Sequence, residues 1–278
     1  MSDTKPSTRP LSPPELTGES RTDGFKLLME VIDRLRADDG CPWDLEQTVA
    51  SLAPSLIEEA FEAVEVIEAG DTQSTCEELG DLFMVIALIS KISAQNDQFD
   101  FGDIARSVAN KLVRRHPHVF GDSTVESTDE VLENWEAIKE RERAERKSDT
   151  SAVAGVPKAL PALQRASRIG GKAMTAGFRW TNLDGALAKL EEEVREVREA
   201  IASGDSEAIE HELGDVLLAG AMLGNYVKVD AETAARSAVR RFEDRFRRLE
   251  AELGSVRGKD LDELMAAWER AKLGQEKP

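Results

Sequence analysis

Two stretches of this chain carry the same pattern of acids and glycine at the same offsets, and that repeat limits the fold more than any other feature. Residues 189–216 read KLEEEVREVREAIASGDSEAIEHELGDV. Leu183, Leu187, Leu190, Val194, Val197 and Ile201 recur every three or four positions, the period of an amphipathic helix. Gly204 and Asp205 interrupt the period, with Ser206 expected as the N-cap of a second helix that carries Ile209, Leu213, Val216 or Leu217, Leu223 and Val227. Two amphipathic helices around so short a break predict an antiparallel helical hairpin.

On that hairpin Glu193 and Glu196 share one helix face, as do Glu212 and Asp215 on the other. Glu193 and Asp215 are each eleven residues from Gly204, and Glu196 and Glu212 are each eight from it. Residues equidistant from the turn lie at one height, so the four carboxylates are expected as two facing rungs. Like charges held that close need a cation between them. A hard divalent ion with oxygen ligands suits the set. Residues 55–82, SLIEEAFEAVEVIEAGDTQSTCEELGDL, place Glu59, Glu62, Glu78 and Asp81 at the same offsets from Gly70. A lone E-x-x-E in an acidic protein reads as a solvated helix face. Two hairpins with matched offsets do not.

The repeat extends further. Each half follows its hairpin with a basic pair one turn apart, Lys111 and Arg115 in the first and Arg241 and Arg245 in the second. Basic residues near a helix C-terminus also answer the helix dipole, so Lys111, Arg114 and Arg115 have a structural reading as well. Each half then ends in Trp-Glu-x-x-Lys: Trp135 to Lys139, and Trp268 to Lys272. Either Trp alone reads as core packing. No stretch shows strand alternation, and the expected fold is all-α, with two tandem helical-bundle domains. Residues 1–22, rich in Ser, Thr, Pro and Glu, are expected as a disordered tail. The domains are expected at 23–145 and 158–278, joined by a linker over 146–157. Residues 38–44 read as a connector with an anchoring Trp43; the alternative is a lid or a base contact near the first site.

Composition narrows the function. A formal net charge of −18 argues against a duplex nucleic-acid partner. No apolar run approaches the ~18 residues of a membrane span. Two cysteines, Cys41 and Cys76, make no disulfide framework and point to a reducing cytoplasm. A di-iron bundle would place His where these hairpins carry Asp81 and Asp215. His116 and His118 are set aside as ligands, because Pro117 separates them and the carboxylates already suit a hard ion. Acids joined to Arg and Lys fit a polyphosphate instead: Mg²⁺ (or Mn²⁺ as a substitute) bridges its oxygens and guanidinium groups clamp the remaining charge. Lys189 can add a further cation, or sit as a solvated helix lysine. An indole stacks on nucleobases with little discrimination, which favours broad base tolerance. The set points to a metal-dependent reaction on a nucleotide polyphosphate.

The stretches CPWDLEQT, IEEAFEAVE, EELGDLF, RRHPHVFGDS and NWEAIKERER, with GFRWTN, EEEVREV and ELGDVLL in the second half, resemble the tandem MazG family. The resemblance covers about residues 23–273. It implies an all-α nucleoside triphosphate pyrophosphohydrolase that yields monophosphate and pyrophosphate with Mg²⁺, serves nucleotide-pool housekeeping and pairs as a homodimer. Residue by residue, the family's metal ligands fall on Glu193, Glu196, Glu212 and Asp215, and its phosphate-binding pair on Arg241 and Arg245. Its nucleotide-contacting aromatic falls on Trp268. Where many relatives have Lys, this chain has Arg241, which exchanges a point charge for a planar fork. The family's C-terminal site is usually the competent one, yet here the N-terminal set of Glu59, Glu62, Glu78, Asp81, Lys111 and Arg115 is formally complete. Glu192 and Glu58, each beside a ligand, are candidates for accepting a proton from the attacking water or for orienting the ligands. The competing expectations are a non-catalytic nucleotide sensor and a helical scaffold whose acids serve solubility.

Overall fold

The computed structural model describes residues 21–121, 123–145, 149 and 151–273, and among them there is no strand. Residues 1–20 of the expected tail and 146–148 and 150 of the expected linker lie outside the described residues, while Arg21 and Thr22, expected in the tail, already belong to the first helix. The chain divides between Glu136 and Ala137 into two compact units. The first is formed by α1 (Arg21–Leu35), α2 (Pro42–Glu46), α3 (Ala53–Ala69), α4 (Thr72–Gln95), α5 (Phe101–Arg115) and α6 (Pro117–Phe120). The division falls within α7 (Thr128–Glu145). The second contains α8 (Ala162–Thr175), α9 (Leu183–Ser203), α10 (Ser206–Val227), α11 (Ala231–Leu253) and α12 (Leu261–Leu273).

Both hairpins form where the periodicity places them, α3 against α4 and α9 against α10. The reversal depends on one residue in each. Gly70 and Gly204 adopt left-handed backbone with φ of 74° and 72°, a conformation that costs an L side chain about 1–2 kcal/mol. Gly204 donates its N–H to Ile201 O, as Gly70 does to Ile67 O, which satisfies carbonyls left open at the helix end. The residue after each glycine is the cap. Asp71 Oδ1 accepts from the N–H groups of Gln73 and Ser74, and Asp205 Oδ1 from those of Glu207 and Ala208. The expected cap at Ser206 is therefore corrected by one residue. Ser206 is already helical, whereas Asp205 has the extended backbone a cap needs, and its carboxylate suits the positive end of the helix.

In the first unit α4 is the central helix. Ile32, Leu52, Val85, Ala87, Leu88 and Ile92 form its buried core, with Leu28, Met29, Leu56 and Ile89 packed around them. Phe25, Phe83 and Phe101 join α1, α4 and α5 through ring centroids 4.8–6.1 Å apart. Arg36 ties three segments: its Nε donates to Gln95 Oε1 at 2.7 Å, and its Nη1 donates to the carbonyls of Asp44 and Gln47. That tie, and not Trp43, fixes the 38–47 connector. Trp43 is 61% exposed on the short α2, contrary to the expected anchor.

The second unit packs with small residues. Ala186, Ala200, Ala219, Ala221, Ala267 and Ala271 are buried, and α10 lies against both α9 and α8. A Cβ on Gly170 of α8 would stand 2.9 Å from Met222 Cγ and 3.1 Å from Asn225 Nδ2, so glycine permits this approach. Asn225 Nδ2 donates to Ser167 O at 3.0 Å across the same contact. Trp180, in the loop before α9, is held by Tyr226, whose hydroxyl donates to Trp180 O at 3.0 Å.

Candidate active site

The site begins with helix geometry. On α9, Glu193 and Glu196 are three residues apart and project from one face, while Glu212 arrives from the antiparallel α10. One carboxylate oxygen from each of these three lies within 4.8 Å of the others. Glu193 is 6% exposed, an unusual position for an acid. Its Oε1 accepts from Lys189 Nζ at 2.8 Å, and the same ammonium lies 3.3 Å from Glu192 Oε1. These partners hold Lys189 in its charged form above the ordinary lysine range. Partial burial, and then a hydrogen bond and charge from Glu193, raise the Glu196 carboxyl above its usual value. Asp215, the fourth acid, lies outside the close group; its Oδ2 stands 3.7 Å from His211 Nε2 on its own helix.

The first hairpin assembles a related group from different corners. Glu59 of α3 meets Glu78 and Asp81 of α4 within the same 4.8 Å, and Glu62 is the exposed fourth acid outside it. Partial burial raises the Glu59 carboxyl, followed by the charges of Glu62, Asp81, Glu78 and Glu58. Partial burial likewise raises Glu78, followed by Glu62, Asp81 and Glu77. Each group brings one full rung together, Glu196 with Glu212 and Glu59 with Asp81, plus one further acid.

These donors suit a hard divalent cation, because each group gathers three carboxylates, and partial burial, then repulsion from neighbouring acids, raises Glu59, Glu78 and Glu196. Asn, Gln or backbone carbonyls would not produce that repulsion. The carboxylates are placed on rigid helix faces close to each other, so little ordering is left for an ion to impose.

The basic and aromatic residues lie on later helices. Arg241 is exposed and Arg245 half-buried, one turn apart on α11, which packs against α10 and α12. Trp268 of α12 is half-buried with its ring 5.1 Å from Phe242 of α11, and Lys272 pairs with Glu269 at 2.6 Å. Lys111 is exposed and Arg115 half-buried near the C-terminal end of α5. That helix ends where His116 Nδ1 donates to Leu112 O at 2.7 Å, with the His116 ring 5.9 Å from Trp135. Lys189, which the sequence offered either as a further cation for substrate or as a solvated helix lysine, is paired within the acid group. The two residues are spaced i,i+4 on α9, and burial of Glu193 makes the pair more than a surface one.

Comparison with known proteins agrees with this architecture. The family model described as the MazG nucleotide pyrophosphohydrolase domain matches residues 47–120 and again 182–250, each segment spanning one acid-bearing hairpin. A nucleoside triphosphate pyrophosphohydrolase of Escherichia coli K12 is 39% identical over 254 residues, covering 88% of this chain and 95% of the relative. The nucleoside triphosphate pyrophosphohydrolase/pyrophosphatase MazG of Thermotoga maritima is 38% identical over 257 residues, covering 91% and 97%. A nucleoside triphosphate pyrophosphohydrolase of Mycolicibacterium smegmatis is 29% identical over 214 residues, covering 69% and 64%. With two matched segments and near-full-length relatives, the chain belongs to the MazG nucleotide pyrophosphohydrolase family.

Proposed function

We propose that this chain, a nucleoside triphosphate pyrophosphohydrolase by its relationships, cleaves nucleoside triphosphates to monophosphate and pyrophosphate with Mg²⁺, accepting several bases in a nucleotide-pool housekeeping role. The observation that carries the reading is the meeting of Glu193, Glu196 and Glu212 around one point, beside a lysine, within a matched family segment. Glu193, Glu196, Glu212 and Asp215 would hold the ion, and Glu59, Glu62, Glu78 and Asp81 would hold its counterpart in the first half. When bound, the ion supplies charge stabilisation at the phosphoryl oxygens and acidifies water.

The chain's own residues do the rest. Arg241 and Arg245 clamp phosphate oxygens through their planar forks, and Lys272 adds a point charge. Trp268, held against Phe242, offers a face for the base without reading its edges, which allows broad base tolerance. Glu192 stands at the edge of the acid group, half-buried and close to Lys189, and is the candidate to accept the water's proton. Lys111 and Arg115 would play the phosphate-binding part in the first half.

A homodimer is part of this reading. Leu187, Val194 and Ile201 on α9 and Leu213 and Leu217 on α10 are 40–59% exposed, leaving a hairpin face more apolar than a solitary unit favours. No helix among the described residues is long and apolar enough to cross a membrane, and Cys41 and Cys76 are free thiols, in keeping with a cytoplasmic enzyme. The deciding experiment incubates the protein with a panel of triphosphates and Mg²⁺ and identifies products. Monophosphate and pyrophosphate in equal amounts are expected. Binding without turnover would make it a sensor, and orthophosphate release would refute the cleavage position.

A further inference from the structure

The two acid groups differ at one position that their shared ligand pattern does not explain. Fifteen residues before the turn glycine, the second hairpin has Lys189 and the first has Ser55. Lys189 Nζ sits 2.8 Å from Glu193 Oε1, on an acid whose side chain is 7% exposed. Water therefore reaches little of that carboxylate, and the ammonium supplies much of its neutralisation. In the first hairpin, after partial burial, the charges acting on Glu59 are those of Glu62, Asp81, Glu78 and Glu58, and those acting on Glu78 are Glu62, Asp81 and Glu77. A serine hydroxyl offers no positive charge in place of the ammonium.

We propose that Lys189 is a resident counter-ion of the C-terminal acid group, competing with the divalent cation for Glu193, whereas Ser55 at the matching position of the N-terminal group cannot compete, so that group loads first when metal is scarce. The inference rests on the metal-site reading above. A carboxylate oxygen already accepting from an ammonium must give up or share that bond to coordinate an ion, and two cations a few ångströms apart repel. Lys189 thus keeps the buried Glu193 placed and neutralised in the metal-free enzyme, while lowering its affinity for metal. The duplicated ligand set then has two thresholds for one ion.

The test is Mn²⁺ titration by calorimetry on the full chain without nucleotide. In a Glu59→Gln/Asp81→Asn background, which leaves the C-terminal group, Lys189→Met is expected to tighten Mn²⁺ binding by about tenfold or more, the scale of one opposite charge beside an acid. Lys189→Arg keeps the charge and should stay near the parent value. In a Glu193→Gln/Glu196→Gln background, Ser55→Lys is expected to weaken Mn²⁺ binding at the N-terminal group by a similar factor. Metal-free Lys189→Met should also melt lower than its parent, and Mn²⁺ should raise its melting temperature by more. Unchanged or weaker Mn²⁺ binding in Lys189→Met overturns the proposal, as does unchanged binding in Ser55→Lys, which decides alone should Lys189→Met not fold. If neither group of the parent chain takes up Mn²⁺, the metal-site reading fails and the proposal falls with it.

Discussion

The α3–α4 and α9–α10 hairpins share a left-handed glycine, an aspartate cap and acids at matched offsets, yet their surroundings have diverged. Where α3 carries Ser55, Phe61 and Val64, α9 carries Lys189, Arg195 and Arg198. Phe61 is exposed, while Arg195 lies 3.8 Å from Glu199 in an exposed pair worth little to stability. The first group leaves its acids mutually repelling; the second neutralises its most buried acid internally. Backbone geometry is thus the part of the repeat that was kept, because it alone brings oxygens from two helices together. Charge balance around those oxygens was free to change.

The sharpest way to break this comparison is to remove ligands from one group at a time. Glu196→Gln with Asp215→Asn is expected to cut pyrophosphate release on the order of 10²-fold or more, the scale of losing a transition-state charge stabiliser. The matched pair Glu62→Gln with Asp81→Asn should cost less, with residual activity measured by the same assay. Equal losses would mean that both halves turn over substrate. Chelation should stop release from both. It should also lower the melting temperature, since Mg²⁺ at a hundred times its Kd adds about 2.7 kcal/mol by mass action.

The hairpin pivots give the next effect. Gly204→Ala and Gly70→Ala should each destabilise their unit by about 1–2 kcal/mol in denaturant melts, through backbone conformation alone. Neither glycine has a neighbour within 4 Å of a built Cβ, so no clash adds to that figure. The cap assignment is sharpened by Asp205→Ala, expected to cost about 1 kcal/mol. Ser206→Ala should fall within about 0.5 kcal/mol of neutral.

Acidity gives a gentler effect, common to both groups, since Glu196 is raised as well as Glu59 and Glu78. Glu59 and Glu78 are raised in the folded protein, so protons bind more tightly there than in the unfolded chain. The stability this contributes is present below the unfolded glutamate value and is lost as pH rises through the folded value. Metal-free protein should therefore gain from this group on mild acidification. The metal-bound form should lose, because ligands must be deprotonated to coordinate. The melting-temperature gain from Mg²⁺ is accordingly expected to shrink as pH falls from about 7 toward the glutamate range near 4.3, measured by thermal denaturation.

The amino-acid order alone determined the all-α character, both hairpins, their glycine pivots and the acids they carry. Each of those depends on local periodicity and turn chemistry, which a few consecutive residues express. Tertiary packing decided the rest. It selected which three of four acids converge, turning Asp215 toward His211 and leaving Glu62 exposed, because small rotations between packed helices move carboxylates by ångströms. It left Trp43 in solvent and gave its anchoring task to Arg36. It also buried Glu193 against Lys189, and burial is set by neighbours distant in sequence, which no local pattern records.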